Sequence, residues 1–67
     1  MQLHQLLRHI HDDVPILLFD LKGYQVCYVL RKSDINVDLY EYVVLDINVG
    51  PANSGPRKAA LYITLEK

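Results

Sequence analysis

The densest cluster of residues able to do chemistry is "RHIHDD", residues 8–13, which sets His9, His11, Asp12 and Asp13 close together just downstream of His4. Imidazoles and carboxylates are metal ligands, so a zinc-type centre is the first chemistry to weigh. The spacing argues against it. Two histidines grip one ion from a helix when they stand at i and i+4, and no pair here does. His4 and His11 are seven apart, two turns and about 10 Å along a helix axis. His9 and His11 point in different directions, and Arg8 brings a charge that opposes a cation. The cluster reads as the solvated side of a helix, and no metal is expected.

The loop "GPANSGPRK", 50–58, places Gly50 and Gly55 at the two-glycine spacing of a phosphate-binding loop. It then departs from that pattern. Pro56 stands where the lysine belongs, Pro51 and Pro56 offer no N–H to a phosphate, and a strand-like run follows where a helix is needed. It reads as a connection, with Arg57 and Lys58 free to meet an acidic partner. Catalysis finds no constellation. Ser33, Ser54 and Thr64 have no histidine placed near them by any local pattern. Cys27 lies mid-strand in apolar surroundings, which raises a thiol pKa and dulls it. No catalytic residue and no cofactor are expected, and the chain reads as a non-enzyme.

The elements that would carry these residues are few. A chain of 67 residues is a single domain, 1–67, and one this small buries only about 60% of its unfolded surface. The single cysteine forbids an internal disulfide and fits a reducing cytosol. No signal segment and no apolar run of membrane-spanning length is present, so a cytoplasmic protein is expected. The net charge of −1 is too balanced for a general nucleic-acid binder.

In "QLHQLLRHIH", 2–11, Leu3, Leu6, Leu7 and Ile10 fall at i, i+3, i+4, i+7, one stripe of an amphipathic helix. The helix should stop near Asp12 or Asp13, because Val14 before Pro15 is pushed towards extended geometry. "VPILLFD" (14–20) and "YQVCYVLR" (24–31) read as strands joined by a turn at "LKG", where Gly23 is free to take a positive φ. "KSDINVDLY" (32–40) is a polar, irregular stretch, and "EYVVLDINV" (41–49) and "AALYITLE" (59–66) are two more strands. The tetrapeptide DINV, at 34–37 and again at 46–49, is far too short to be a structural repeat. The expected fold is α+β: an N-terminal amphipathic helix packed on a four-stranded antiparallel β-meander.

Alternation assigns faces. Val43, Leu45, Ile47 and Val49 form the core set of the third strand, and Ala59, Leu61, Ile63 and Leu65 that of the fourth. In the first two strands the polar Asp20, Gln25 and Arg31 mark the outward side, which puts Leu17, Phe19, Tyr24, Val26, Tyr28 and Leu30 inward. The outward side then still carries Ile16, Leu18, Cys27, Val29, Tyr42, Val44 and Tyr62. One helix covers one side of a sheet, so an apolar second side is left to mark an interface, unless the sheet curls into a partial barrel and buries both sets against itself. Pro15 blunts the first strand as an edge, while the uncharged "LYITL", 61–65, is an open edge suited to a two-fold homodimer. The interface residues are Tyr42, Val44, Tyr62, Arg57 and Lys58: aromatics for buried contact, the basic pair to orient an acidic partner. Tyrosines beside basic residues also suit stacking on single-stranded nucleic acid or a nucleotide. The charge balance favours a protein partner.

The run "LLRHIHDDVPILLFDLKGYQVCYV" resembles the opening of many short proteins encoded by bacteriophages and other mobile elements, with a helix, an acidic turn and then a hairpin. The resemblance covers about the first thirty residues and implies a small accessory protein. Some proteins of that kind inhibit host defence machinery, CRISPR nucleases included. No functional residue carries over from it.

Overall fold

The computed structural model describes residues 1–67. One short helix, α1 (Leu3–Leu7), precedes four strands: β1 (Ile16–Phe19), β2 (Gln25–Val29), β3 (Val43–Pro51) and β4 (Ala59–Glu66). Two 3₁₀ turns, Lys32–Asp34 and Val37–Leu39, carry the chain from β2 to β3. The sheet order is β2-β1-β4-β3. β1–β2 and β3–β4 are antiparallel pairs, but β1 and β4 run parallel. The fold is α+β with a mixed sheet, and the expected meander is replaced by two hairpin-like pairs joined along β1 and β4.

The β1–β2 turn forms as its residue types require. Gly23 takes φ +86°, and the Asp20 carboxylate accepts from the N–H groups of Lys22 (2.9 Å) and Tyr24 (3.0 Å). α1 is shorter than the expected 2–11. Beyond Leu7 the chain tightens into i→i+3 bonds, from His9 N–H to Leu6 O (2.9 Å) and from Ile10 N–H to Leu7 O (3.3 Å). Lys32 Nζ also donates to the Leu7 carbonyl at 2.8 Å, closing that end. Leu3, Leu7 and Ile10 are nevertheless all buried.

Cross-strand partners share a face, so the register fixes the sides. Ile16 pairs with Val29 and with Leu61, and Leu18 with Cys27 and with Ile63. This row faces α1 and makes the core: Leu3, Leu7, Ile10, Ile16, Leu18, Ile35, Ile63 and Leu65, with Cys27, Val29, Tyr42 and Val44 packed against it. The expected sides of the first two strands are therefore reversed. Ile16 and Leu18 are fully buried, while Tyr24, Val26 and Leu30, expected inward, are exposed. Leu17 is buried too, on the opposite face.

In β3 the expected core set is not a set. A register shift between Val44 and Asp46 leaves Leu45 without a partner, and such a bulge reverses the side of everything beyond it. Val44 turns to the core, while Val43, Leu45, Ile47 and Val49 are all exposed. "LYITL" is no edge either. β4 lies between β1 and β3, so a dimer cannot form by pairing β4 with its copy. β1, with Pro15 before it, is equally interior, and the Pro15 carbonyl accepts from Leu61 N–H at 3.0 Å. The sheet edges are β2 and β3.

The face away from α1 is partly closed by the chain itself. The 52–58 loop is fastened there by Tyr28, whose hydroxyl donates to Ser54 O (2.7 Å) and accepts from Ser54 N–H (3.3 Å). Tyr62 lies on the same face against Phe19, ring centroids 5.5 Å apart. Its hydroxyl donates to Pro51 O at 2.7 Å. With this cover Leu17 and Ala60 are as buried as the core, at 3% and 2% exposure. The expected apolar second side is in large part the core itself.

Candidate interaction surfaces

The five residues singled out from the sequence do not form one patch. Tyr42 and Val44 are half-buried against the core on the α1 side. Tyr62 is on the other face, its hydroxyl committed to Pro51. Arg57 and Lys58 are exposed in the 52–58 loop. Arg57 is paired with Asp13, both side chains more than half exposed, and its guanidinium holds the Asp13 carboxyl below the ordinary value of 3.8.

The structure leaves aliphatic surface where α1 does not reach. Ile47 and Val49 share the core face, opposite Ile63 and Leu61. They lie too far along β3 for cover, since the start of the chain meets β3 only near Tyr42–Val44. Ile47 is 44% exposed, Leu45 49% and Val49 73%. Ile47 and Val49 make an aliphatic shelf at the margin of the core face, with Leu45 exposed at the bulge before them.

The backbone edge beneath that shelf is guarded. Leu61 N–H points to Pro15 on the β1 side, so its β3 partner Val49, and Ile47 two residues back, turn their N–H groups away from β4. Val44 N–H faces outward too, and donates to Met1 O at 2.7 Å. Ile47 N–H donates to the carboxylate of its neighbour Asp46 at 3.1 Å. Pro51 has no N–H to offer. Only Val49 keeps a free outward donor.

The β2 edge is built otherwise. Pro15 O faces β4, so Ile16 and Leu18 turn their backbone groups to β2 and bond Val29 and Cys27. Tyr28 between them turns its N–H and C=O outward, where nothing in the chain meets them. Side chains exposed along this edge include Val26 and Leu30. From Leu21 to Ser33 the sequence holds Lys22, Arg31 and Lys32 and no acid.

The histidine cluster brings no ligand set together: no group of three or more His, Cys, Asp or Glu side chains is near enough to hold a metal ion. His4 Nε2 donates to Gln2 Oε1 at 2.8 Å. His4 and Arg8 instead border an open cleft of about 850 Å³, shared with Lys32, Asp38 and Glu41. Its charges are mixed and select no ligand. Cys27 is half-buried, and burial pushes its thiol pKa up, which makes it a poor nucleophile at neutral pH. No polar or charged side chain is fully buried anywhere in the chain. No helix is long and apolar enough to cross a membrane.

Alternation alone missed the shelf, because the bulge at Leu45 carries no signal in residue type. Comparison with family models, with curated proteins and with solved structures returns no match.

Proposed function

We propose that the chain is a small protein-binding module that acts without catalysis, by occupying a partner surface. The observation that carries this reading is the β3 shelf, where Leu45, Ile47 and Val49 stand exposed on an edge strand. Exposed apolar groups that do nothing for the core are what a docking surface needs. Arg57 and Lys58 lie at the rim of the opposite face, where charge sets orientation more than affinity. A regulator or inhibitor of host machinery, of the kind found among short phage-encoded proteins, is the biological role that suits such a module in a host cytoplasm. A second copy remains a candidate occupant of the shelf.

The test is a double substitution, Ile47→Lys with Val49→Lys. Both side chains are exposed, so the fold should hold, with an unchanged circular dichroism spectrum. Sedimentation across a concentration series reads self-association, and affinity capture with quantified recovery reads a foreign partner. The expected result is loss of whichever partner the wild type retains. Full retention by the folded double variant removes the shelf from the function.

The alternative is a nucleotide or single-strand binder using sheet tyrosines and the basic loop. What favours it is the basic run around β2. It predicts binding of a labelled oligonucleotide that weakens steeply with salt. Tyr62, which would have to stack a base, is instead engaged with Phe19 and Pro51.

A further inference from the structure

We infer that the β2 edge is a second interaction surface, and that its occupant is an extended, acidic segment of another protein, added to the sheet as a fifth strand. The inference rests on the protein-binding reading in general but not on the β3 shelf.

Three observations meet at this edge. β2 is terminal in the sheet, and the N–H and C=O of Tyr28 face outward without an internal partner. Such groups are a template for an added strand. The bulge at Val26 ends the straight run on one side, so the template is the stretch from Cys27 to Leu30. Apolar side chains flank it, with Val26 48% and Leu30 42% exposed. A chain lying along Tyr28 would meet them as it meets the backbone.

Charge chooses the occupant. Lys22 stands before the template and Arg31 after it; Lys32 is turned away to the Leu7 carbonyl, and the acid before Lys22, Asp20, is held by the N–H groups of its own turn. The loop bearing Arg57 and Lys58 is fastened beside it through Tyr28 and Ser54. A second copy paired antiparallel would bring its Lys22 end beside Arg31, like charge against like. That arrangement is a known device against edge-to-edge self-pairing. A segment with acids at either end of an apolar centre meets the opposite sign at both ends.

The experiment uses the whole chain and two labelled peptides: a valine–threonine alternating centre flanked by aspartates, and the same centre flanked by lysines. Fluorescence anisotropy reads affinity, and amide NMR shifts read the site. The expected result is binding of the acidic peptide alone. The largest shifts should fall at Tyr28 and Leu30, and the Tyr28 amide should gain exchange protection. Lys22→Glu with Arg31→Glu should weaken binding about tenfold, and 0.5 M salt should weaken it in wild type. An acidic peptide N-methylated on alternate residues should fail to bind. Equal binding of both peptides, shifts centred on β3, or no binding at millimolar peptide overturns the inference. So does a dimer whose shifts map to β2, since the occupant would then be a second copy. None of these outcomes touches the Ile47→Lys/Val49→Lys result, so the β3 reading stands or falls separately.

Discussion

The two edges of this sheet handle the same hazard in opposite ways. β3 exposes greasy side chains and occupies most of its outward donors: Met1 takes the Val44 N–H, Asp46 takes that of Ile47, and Pro51 has none, which leaves Val49. β2 leaves the Tyr28 backbone open, with Lys22 before it and Arg31 after it. An open edge with apolar side chains would pair with any strand it met. Each edge here tempers that combination, β3 by occupying backbone donors and β2 by charge at its ends. What remains at β3 is suited to side-chain docking, and what remains at β2 to selective strand addition.

The contrast breaks first if the apolar side chains at β3 are structural after all. Leu18, Ile63 and Ile47 form one row across the core face, with Leu18 and Ile63 fully buried and Ile47 44% exposed. Leu18→Ala should destabilise by about 2–5 kcal/mol. Ile47→Ala should cost under about 1 kcal/mol, since much of that side chain already meets water. Urea unfolding of the two variants checks the ratio, and similar costs would return Ile47 to the core.

A smaller effect separates the glycines of the two edges. At Gly50 in β3 a Cβ would stand 2.6 Å from the Tyr62 ring, whose hydroxyl is tied to Pro51. Gly50→Ala should cost about 1–3 kcal/mol through overpacking. At Gly23 in the β2 turn a Cβ meets nothing within 4 Å, but φ is +86°. Gly23→Ala should cost about 1–2 kcal/mol through backbone strain alone. The two are told apart by Tyr62→Ala: in that background Gly50→Ala loses most of its penalty and Gly23→Ala keeps all of it.

Removing the guard at β3 should show more in assembly than in stability. Asp46→Ala frees Ile47 N–H and takes away the only charge between Val43 and Pro51. Thermal stability should move by about 0.5 kcal/mol or less, as for an exposed surface change. Sedimentation, however, should reveal concentration-dependent association stronger than in wild type. Unchanged mass up to millimolar concentration would mean that Met1 and Pro51 guard the edge without help.

The limits of the sequence reading follow from the same details. Strand positions were legible: 59–66 matches β4, Gly23 turns the first hairpin, and the proline-flanked loop connects β3 to β4. Faces were not. Asp20 marks the outward side only if its polarity answers to solvent, whereas its carboxylate caps the turn next to it. β1 is apolar on both faces because neighbours cover both, so alternation has nothing to read. Bulges at Val26 and Leu45 reverse the parity of the strands that contain them. DINV gives the plainest case. Ile35 of the first copy is buried between two 3₁₀ turns, and Ile47 of the second is exposed in a strand. Four identical residues do not carry the tertiary partner that decides. The candidate surfaces were less legible than the fold, since both depend on which strands are edges, and a parallel β1–β4 pair is a long-range choice.

The smallest effect tests how firmly the basic loop is held beside β2. Asp13 is depressed below 3.8 by Arg57. A carboxyl lowered on folding contributes stability above its unfolded value, and that contribution is lost as pH falls through the folded one. The window therefore lies below about pH 4. Asp13→Asn should flatten the acid side of the stability profile there and lower neutral stability by the same amount, a small one for a pair this exposed. Arg57→Ala should do the same. The two differ at β2: Asp13→Asn releases a guanidinium near the edge and should strengthen acidic-peptide binding slightly at neutral pH, whereas Arg57→Ala should weaken it. If both variants shift binding in the same direction, the pair positions the 52–58 loop and Arg57 supplies no charge to the β2 surface.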